Sequence, residues 1–244
     1  MKRLILALLT GAAFAASSPA YAAVKTIVLV HGAFADGSGC RWRTFSRVTV
    51  TRYELSRSLR RVSPQTWLRR AGFSTRQVLV CWSAIVGGMI ITETGTHPDV
   101  KALVYVAAMQ PDVGESLSDL AGKMPAAAKS IGPVGDGFLA VNPDAFPNDF
   151  AADAPKSVAR FMAISQVPVS AEAFDAKATV AAWKQKPSYA VIPAQDRMIN
   201  PDLERFMAKR AQSQVIELPG SHAIFLSHAR EVAALIEKAA TSAK

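Results

Sequence analysis

Apolar positions in this chain form short runs separated by segments of helical period, and the two alternate along most of its length. Residues 24–30 are a first run. Its second half, Ile27-Val28-Leu29-Val30, is continuously apolar, as a strand buried on both faces requires. The run enters a loop at 31–39, rich in glycine and small side chains. Residues 78–82 predict a second short strand, 87–94 a helix and 102–108 a third strand. Strand returns at 188–193, helix at 202–211, strand at 214–218, and a closing helix occupies 230–240. Such alternation predicts an α/β fold, a mainly parallel sheet with helices on both faces. Residues 109–183 break the rhythm: they hold many Pro and Ala, helical stretches such as 157–166, and no clear strand. No internal repeat or low-complexity tract is visible.

The N-terminus belongs to a different pattern. Lys2 and Arg3 precede an apolar run at 4–16, and Ala20-Tyr21-Ala22 places small residues at both key positions of a cleavage site. Residues 1–22 therefore read as a signal peptide, with a mature domain at 23–244 and an exported, periplasmic or secreted product. The run is shorter than the roughly 20 residues of a comfortable membrane span, and nothing else resembles one, so no stable membrane anchor is expected.

A chain of 244 residues, 50% hydrophobic, can build one domain with a substantial core. Its formal charge of +9 invites a nucleic-acid partner, but the charge is not spread over the domain. Residues 41–77 hold ten Arg, one Glu and neither Lys nor Asp, so this segment alone accounts for +9. Nucleic-acid binding is disfavoured on that distribution. Cys40 and Cys81 border the same segment and are not expected to form a structural bridge; two Cys and four scattered His have no metal-ligand spacing.

Candidate chemistry collects at strand ends. The strand at 214–218 runs through Pro219-Gly220-Ser221 to His222, and the strand at 188–193 runs through Ala194-Gln195 to Asp196. The first strand leads into His31-Gly32-Ala33-Phe34. Oxyanion loop, acid and base in that order suit acyl transfer with a nucleophile between loop and acid, carried on a G-x-S-x-G turn. Asp196 also suits a turn or a helix cap. His31 is read as shaping its loop. No G-x-G-x-x-G is present to suggest a dinucleotide.

These stretches together resemble the α/β-hydrolase family, in its small esterase and hydroxynitrile-lyase-like branch. The resemblance rests on His31-Gly32-Ala33-Phe34-Ala35-Asp36-Gly37-Ser38-Gly39, Leu103-Val104-Tyr105-Val106-Ala107-Ala108, Gln195-Asp196-Arg197-Met198-Ile199 and Gly220-Ser221-His222-Ala223. It implies a helical lid at about 109–183, His222 as general base and Asp196 as the acid that orients it. It implies oxyanion or substrate-binding roles for Gly32, Ala33 and Phe34, and a small ester or related acyl substrate, with neither metal nor organic cofactor. A lyase built on the same residues stays open, as does a catalytically inactive hydrolase-like binding protein. Phe138, Phe146, Phe150, Phe161 and Met162 in the lid suggest an apolar acyl or aryl pocket, although such residues also serve simply as packing.

The chain departs from the family between about 40 and 86. Where the serine elbow belongs stands Cys81-Trp82-Ser83-Ala84-Ile85-Val86-Gly87-Gly88. Counting back from Gly87-Gly88 places the nucleophile position at Ile85 and the second oxyanion donor, the N–H that follows it, at Val86. Ser83 is the nearby hydroxyl and the candidate nucleophile, but a two-residue displacement along a strand moves a side chain roughly 6–7 Å. The composition suggests a shifted reading frame. Taking the last base of each codon with the first two of the next, residues 80–86 permit V-L-V-G-H-S, 48–53 permit D-G-Y-K-V, and 59–70 permit E-T-S-L-A-x-D-V-A-A-T. The alternative is a true divergent segment, with an Arg-rich surface helix over 56–70.

Overall fold

The computed structural model describes residues 26–31, 33–35, 78–83 and 86–242. The proposed signal segment, Gly32, Cys40, the whole Arg-rich stretch at 41–77 and Ile85 lie outside the described residues. In chain order the strands are β1 Thr26–His31, β2 Val78–Ser83, β3 Val100–Val106, β4 Ile131–Gly135, β5 Phe138–Val141, β6 Val169–Ser170, β7 Ser188–Pro193 and β8 Gln214–Leu218. The helices are α1 Gly87–Thr94, α2 Leu117–Lys123, α3 Phe146–Asp149, α4 Lys156–Ser165, α5 Glu172–Asp175, α6 Pro201–Arg210, α7 Ile224–Ser227 and α8 Ala229–Ser242.

Five strands form one sheet in the order β1-β2-β3-β7-β8, every neighbouring pair parallel. β3 shows why its apolar run is continuous. Ala102, Val104 and Val106 face α8 and pack with Val232, Leu235, Ile236 and Ala239. Leu103 and Tyr105 face the other way, against Ile91 of α1 and Ala208 of α6. Side chains alternate across a strand, so a sheet covered twice needs apolar residues at both parities. The buried Tyr105 hydroxyl shares a hydrogen bond of 2.9 Å with Thr92, which satisfies the one polar atom this side chain brings into the core. α6 starts where proline is tolerated: Asn200 caps it by accepting the N–H of Asp202 at 2.9 Å, and Pro201 follows.

Register brings the strand ends to one edge. His31 stands opposite Ser83, Ser83 opposite Val106, Val106 opposite Val191, and Pro193 opposite Leu218. The segments carrying Asp196 and His222 leave the sheet at that edge, where open α/β sheets place their sites.

The insertion departs from the expectation of an all-helical lid. Besides α2 to α5 it holds an antiparallel sheet in the order β4-β5-β6. β4 and β5 are joined by Asp136-Gly137, with φ of 51° and 76°, the left-handed pair of a tight hairpin. The strands are four or five residues long, or two in β6, and β4 contains Gly132, Pro133 and Gly135, so no alternating run announces them. Gln166 completes the pairing with its side chain, accepting the N–H of Val141 and donating to its carbonyl, each at 2.9 Å. Below, Leu117, Leu120, Phe146, Phe150 and Met162 form one buried cluster with Ala33, Phe34 and Val86. The insertion thus roofs the loop after β1 and the start of α1. Among the described residues, no helix is long and apolar enough to cross a membrane.

Candidate active site

Asp196 occupies the turn between β7 and α6, and its carboxylate divides its two oxygens between two tasks. Oδ1 accepts the backbone N–H groups of Met198 at 2.7 Å and Ile199 at 3.0 Å. Oδ2 meets Nδ1 of His222 at 2.6 Å, and both side chains are fully buried. The main chain fixes the pair as well. Ala194 donates to Leu218 and Gln195 to Gly220, at 2.9 and 3.0 Å, so the β7–β8 pairing continues past the strand ends. A carboxylate on Nδ1 favours the tautomer with the proton there and leaves the lone pair on Nε2. Nε2 is buried and has no hydrogen-bond partner among the described residues. The Phe150 ring meets the imidazole edge-on, with centroids 4.7 Å apart.

The loop after β1 is described at Ala33, Phe34 and Ala35, all buried. Phe34 has φ of 63°, an unusual conformation for a bulky residue, and its N–H donates to the carbonyl of Val167 at 3.3 Å. Phe34 therefore ties the loop to the insertion, and its amide is occupied. Ser83 is the last residue of β2. Val86 is buried and precedes α1, its carbonyl accepting the N–H groups of Met89 and Ile90. α1 lies tight against the chain after β3: a Cβ on Gly88 would collide with the carbonyl of Met109.

Of the lid residues expected around a pocket, Phe146, Phe150 and Met162 are buried in the cluster with Phe34, while Phe161 is 59% exposed and faces outward. The sequence reading missed two carboxylates. Asp153, in the insertion, reaches the loop before His222 through the N–H of Ser221 at 3.1 Å. Glu204, on α6, is buried beside Asp196. Burial first, then the charge of Asp196, pushes its carboxyl well above the ordinary range, against an Ala108 N–H bond that lowers it. A signal for Glu204 existed: at helical spacing it falls on the face of Leu203, Met207 and Ala208.

The sequence pattern of the Alpha/beta hydrolase family matches residues 27–235, and the chain belongs to that family. No curated protein matches the sequence. Among solved structures, a pyrethroid hydrolase from Sphingobium faniae JZ-2 superposes with a TM-score of 0.69 at 19% identity, covering 89% of this chain and 97% of its own. An extracellular α/β-hydrolase from a Paenibacillus species gives 0.66 at 17% identity, covering 88% and 98%. A methylesterase from Arabidopsis gives 0.64 at 15% identity over the same shares. At these identities the likeness establishes the shared fold.

Proposed function

We propose that this chain is built as a hydrolase of small esters or related acyl compounds, with His222 as general base and Asp196 as its orienting acid. The buried His222–Asp196 pair, with Nε2 unshared among the described residues, carries the reading. A hydroxyl nucleophile at the turn after β2 would pass its proton to Nε2 as its oxygen attacks the ester carbonyl. His222 would return that proton to the departing alcohol, and a water would repeat the sequence to free the acid. Asp196, held in place by two N–H groups, would orient the imidazole and stabilise the imidazolium. With the Phe34 amide engaged by Val167, the oxyanion donors fall to the N–H groups of Ala33 and Val86. The side chains over this edge, Phe34, Phe146, Phe150 and Met162, suit an apolar acyl or aryl group. The names of the Sphingobium pyrethroid hydrolase and the Arabidopsis methylesterase agree with ester cleavage.

The nucleophile is the missing part. Position 85 carries isoleucine, and we attribute this to a shifted reading frame over about 40–86. As written, the chain is a hydrolase scaffold of very low turnover. That same defect supports a second reading, a protein that holds a small apolar ligand under its lid without converting it. Export through the N-terminal segment belongs to the proposal as well. The test uses a version with segment 40–86 replaced by its offset reading. Its p-nitrophenyl ester hydrolysis should fall at least about 10³-fold in His222→Gln. Hydrolysis indifferent to His222 would refute the assignment.

A further inference from the structure

Asp153 lies between α3 and α4 and reaches across to the loop that carries His222. Its Oδ2 accepts the backbone N–H of Ser221 at 3.1 Å and the Ser227 hydroxyl at 2.6 Å. Its Oδ1 accepts the Ser221 hydroxyl. Gly220 belongs to the same contact, since a Cβ there would come within 2.6 Å of Oδ2. The neighbouring carbonyl of Phe150 takes the N–H of Ala223 at 2.9 Å, and the Phe150 ring borders the imidazole. One stretch of the insertion, residues 150–153, thus holds the backbone on both sides of His222.

We propose that Asp153 is a positioning residue for His222, through which the insertion sets the orientation of the imidazole. The inference rests on the reading of His222 as the base. Asp196 fixes one ring nitrogen, but a single hydrogen bond does not by itself set the direction of the other. The direction of Nε2 then depends on where the backbone of 220–223 lies, and Asp153 with the Phe150 carbonyl determines that. The carboxyl is kept ionised: burial raises its pKa, but the hydrogen bonds from Ser221 and Ser227 outweigh burial and leave it below its ordinary value.

Asparagine can replace Asp153 in this role. Its carbonyl would accept from Ser221 N–H and Ser227, while its NH₂ donates to Ser221 Oγ. That hydroxyl then turns its own proton to the Phe150 carbonyl, 3.3 Å away. Leucine, of similar volume, can make none of these bonds. The test is imidazole NMR of His222 in the full chain, comparing Asp153→Leu and Asp153→Asn. We expect the leucine variant to shift the His222 titration and weaken the far-downfield Nδ1–H resonance, and the asparagine variant to keep both. If neither variant alters the resonance and only the melting temperature falls, Asp153 is a stabilising contact and the proposal is wrong. If both shift the titration equally, its charge acts rather than its position, and the proposal is equally wrong. Should the leucine variant not fold, the Ser221→Ala/Ser227→Ala pair removes both hydroxyl contacts; an unchanged His222 titration there also overturns it. Absence of ester turnover in the repaired chain would count against His222 as base and leave this readout untouched.

Discussion

Glu204 lies buried beside Asp196, and only Asp196 is equipped to hold a negative charge there. Asp196 has two backbone N–H groups and the imidazole of His222. Glu204 has the N–H of Ala108, and its Oε2 has no partner among the described residues. Burial first, and then the neighbouring Asp196, make Glu204 keep its proton to a higher pH than an ordinary glutamate.

Glu204 consequently makes stability depend on pH. Its folded-state pKa is raised, so the unfolded chain releases this proton at a lower pH than the folded one. Over the window above the ordinary glutamate value of 4.5, stability falls as pH rises. Glu204→Gln removes that dependence, keeps an acceptor for Ala108, and is expected to stabilise the fold at neutral pH. Urea titrations at pH 4.5 and pH 7.5 check it: the gain should be larger at the higher pH, and an equal or reversed gain would contradict the raised pKa of Glu204.

Asp196→Asn should leave the turn intact, since its side-chain oxygen can still accept from Met198 and Ile199. The amide would then face Nδ1 and impose the wrong tautomer. In the chain with a repaired elbow, kcat should drop by about 10⁴ with KM little affected. Stopped-assay kinetics with a chromogenic ester measure this, and a loss confined to KM would argue against the orienting role.

Gly88 is required by close approach. Gly88→Ala would force its methyl group into the carbonyl of Met109, which belongs to rigid main chain. A destabilisation of about 1–3 kcal/mol is expected, with displacement of α1 from the β3 exit. Thermal melting reads the loss; an unchanged melting temperature would mean that α1 is not seated as described.

Export is expected with cleavage after Ala22, on the basic, apolar and small-residue order of the first 22 positions. Intact-mass analysis of the exported product should give a chain beginning at Ala23. A product retained in the membrane at full length would contradict it.

The sheet was largely legible in the sequence because burial on both faces leaves continuous apolar runs. β7 and β8 fall at the expected residues, and α1 does as well. β3 begins and ends two residues earlier than its apolar run suggested, since Ala107 turns left-handed, with φ of 48°. The hairpin of the insertion was missed because Gly and Pro interrupt β4 and a glutamine side chain replaces part of the pairing. The Asp136-Gly137 pair was its readable mark. That Asp196 and His222 meet was legible from their places past strand ends. Asp153 was not: it acts on Ser221 across 68 positions of sequence, and nothing local distinguishes it from a surface carboxylate.

The proposed hydrolase joins His222 and Asp196 as an acid–base pair to a sequence that carries isoleucine at position 85. Ester turnover by three proteins tests it most directly: the chain as written, its Ser83→Ala variant, and the version with segment 40–86 in the offset frame. The account predicts near-background turnover in the first two, indistinguishable from each other, and strong turnover in the third. Brisk hydrolysis by the chain as written, abolished by Ser83→Ala, would make Ser83 the working nucleophile and contradict it.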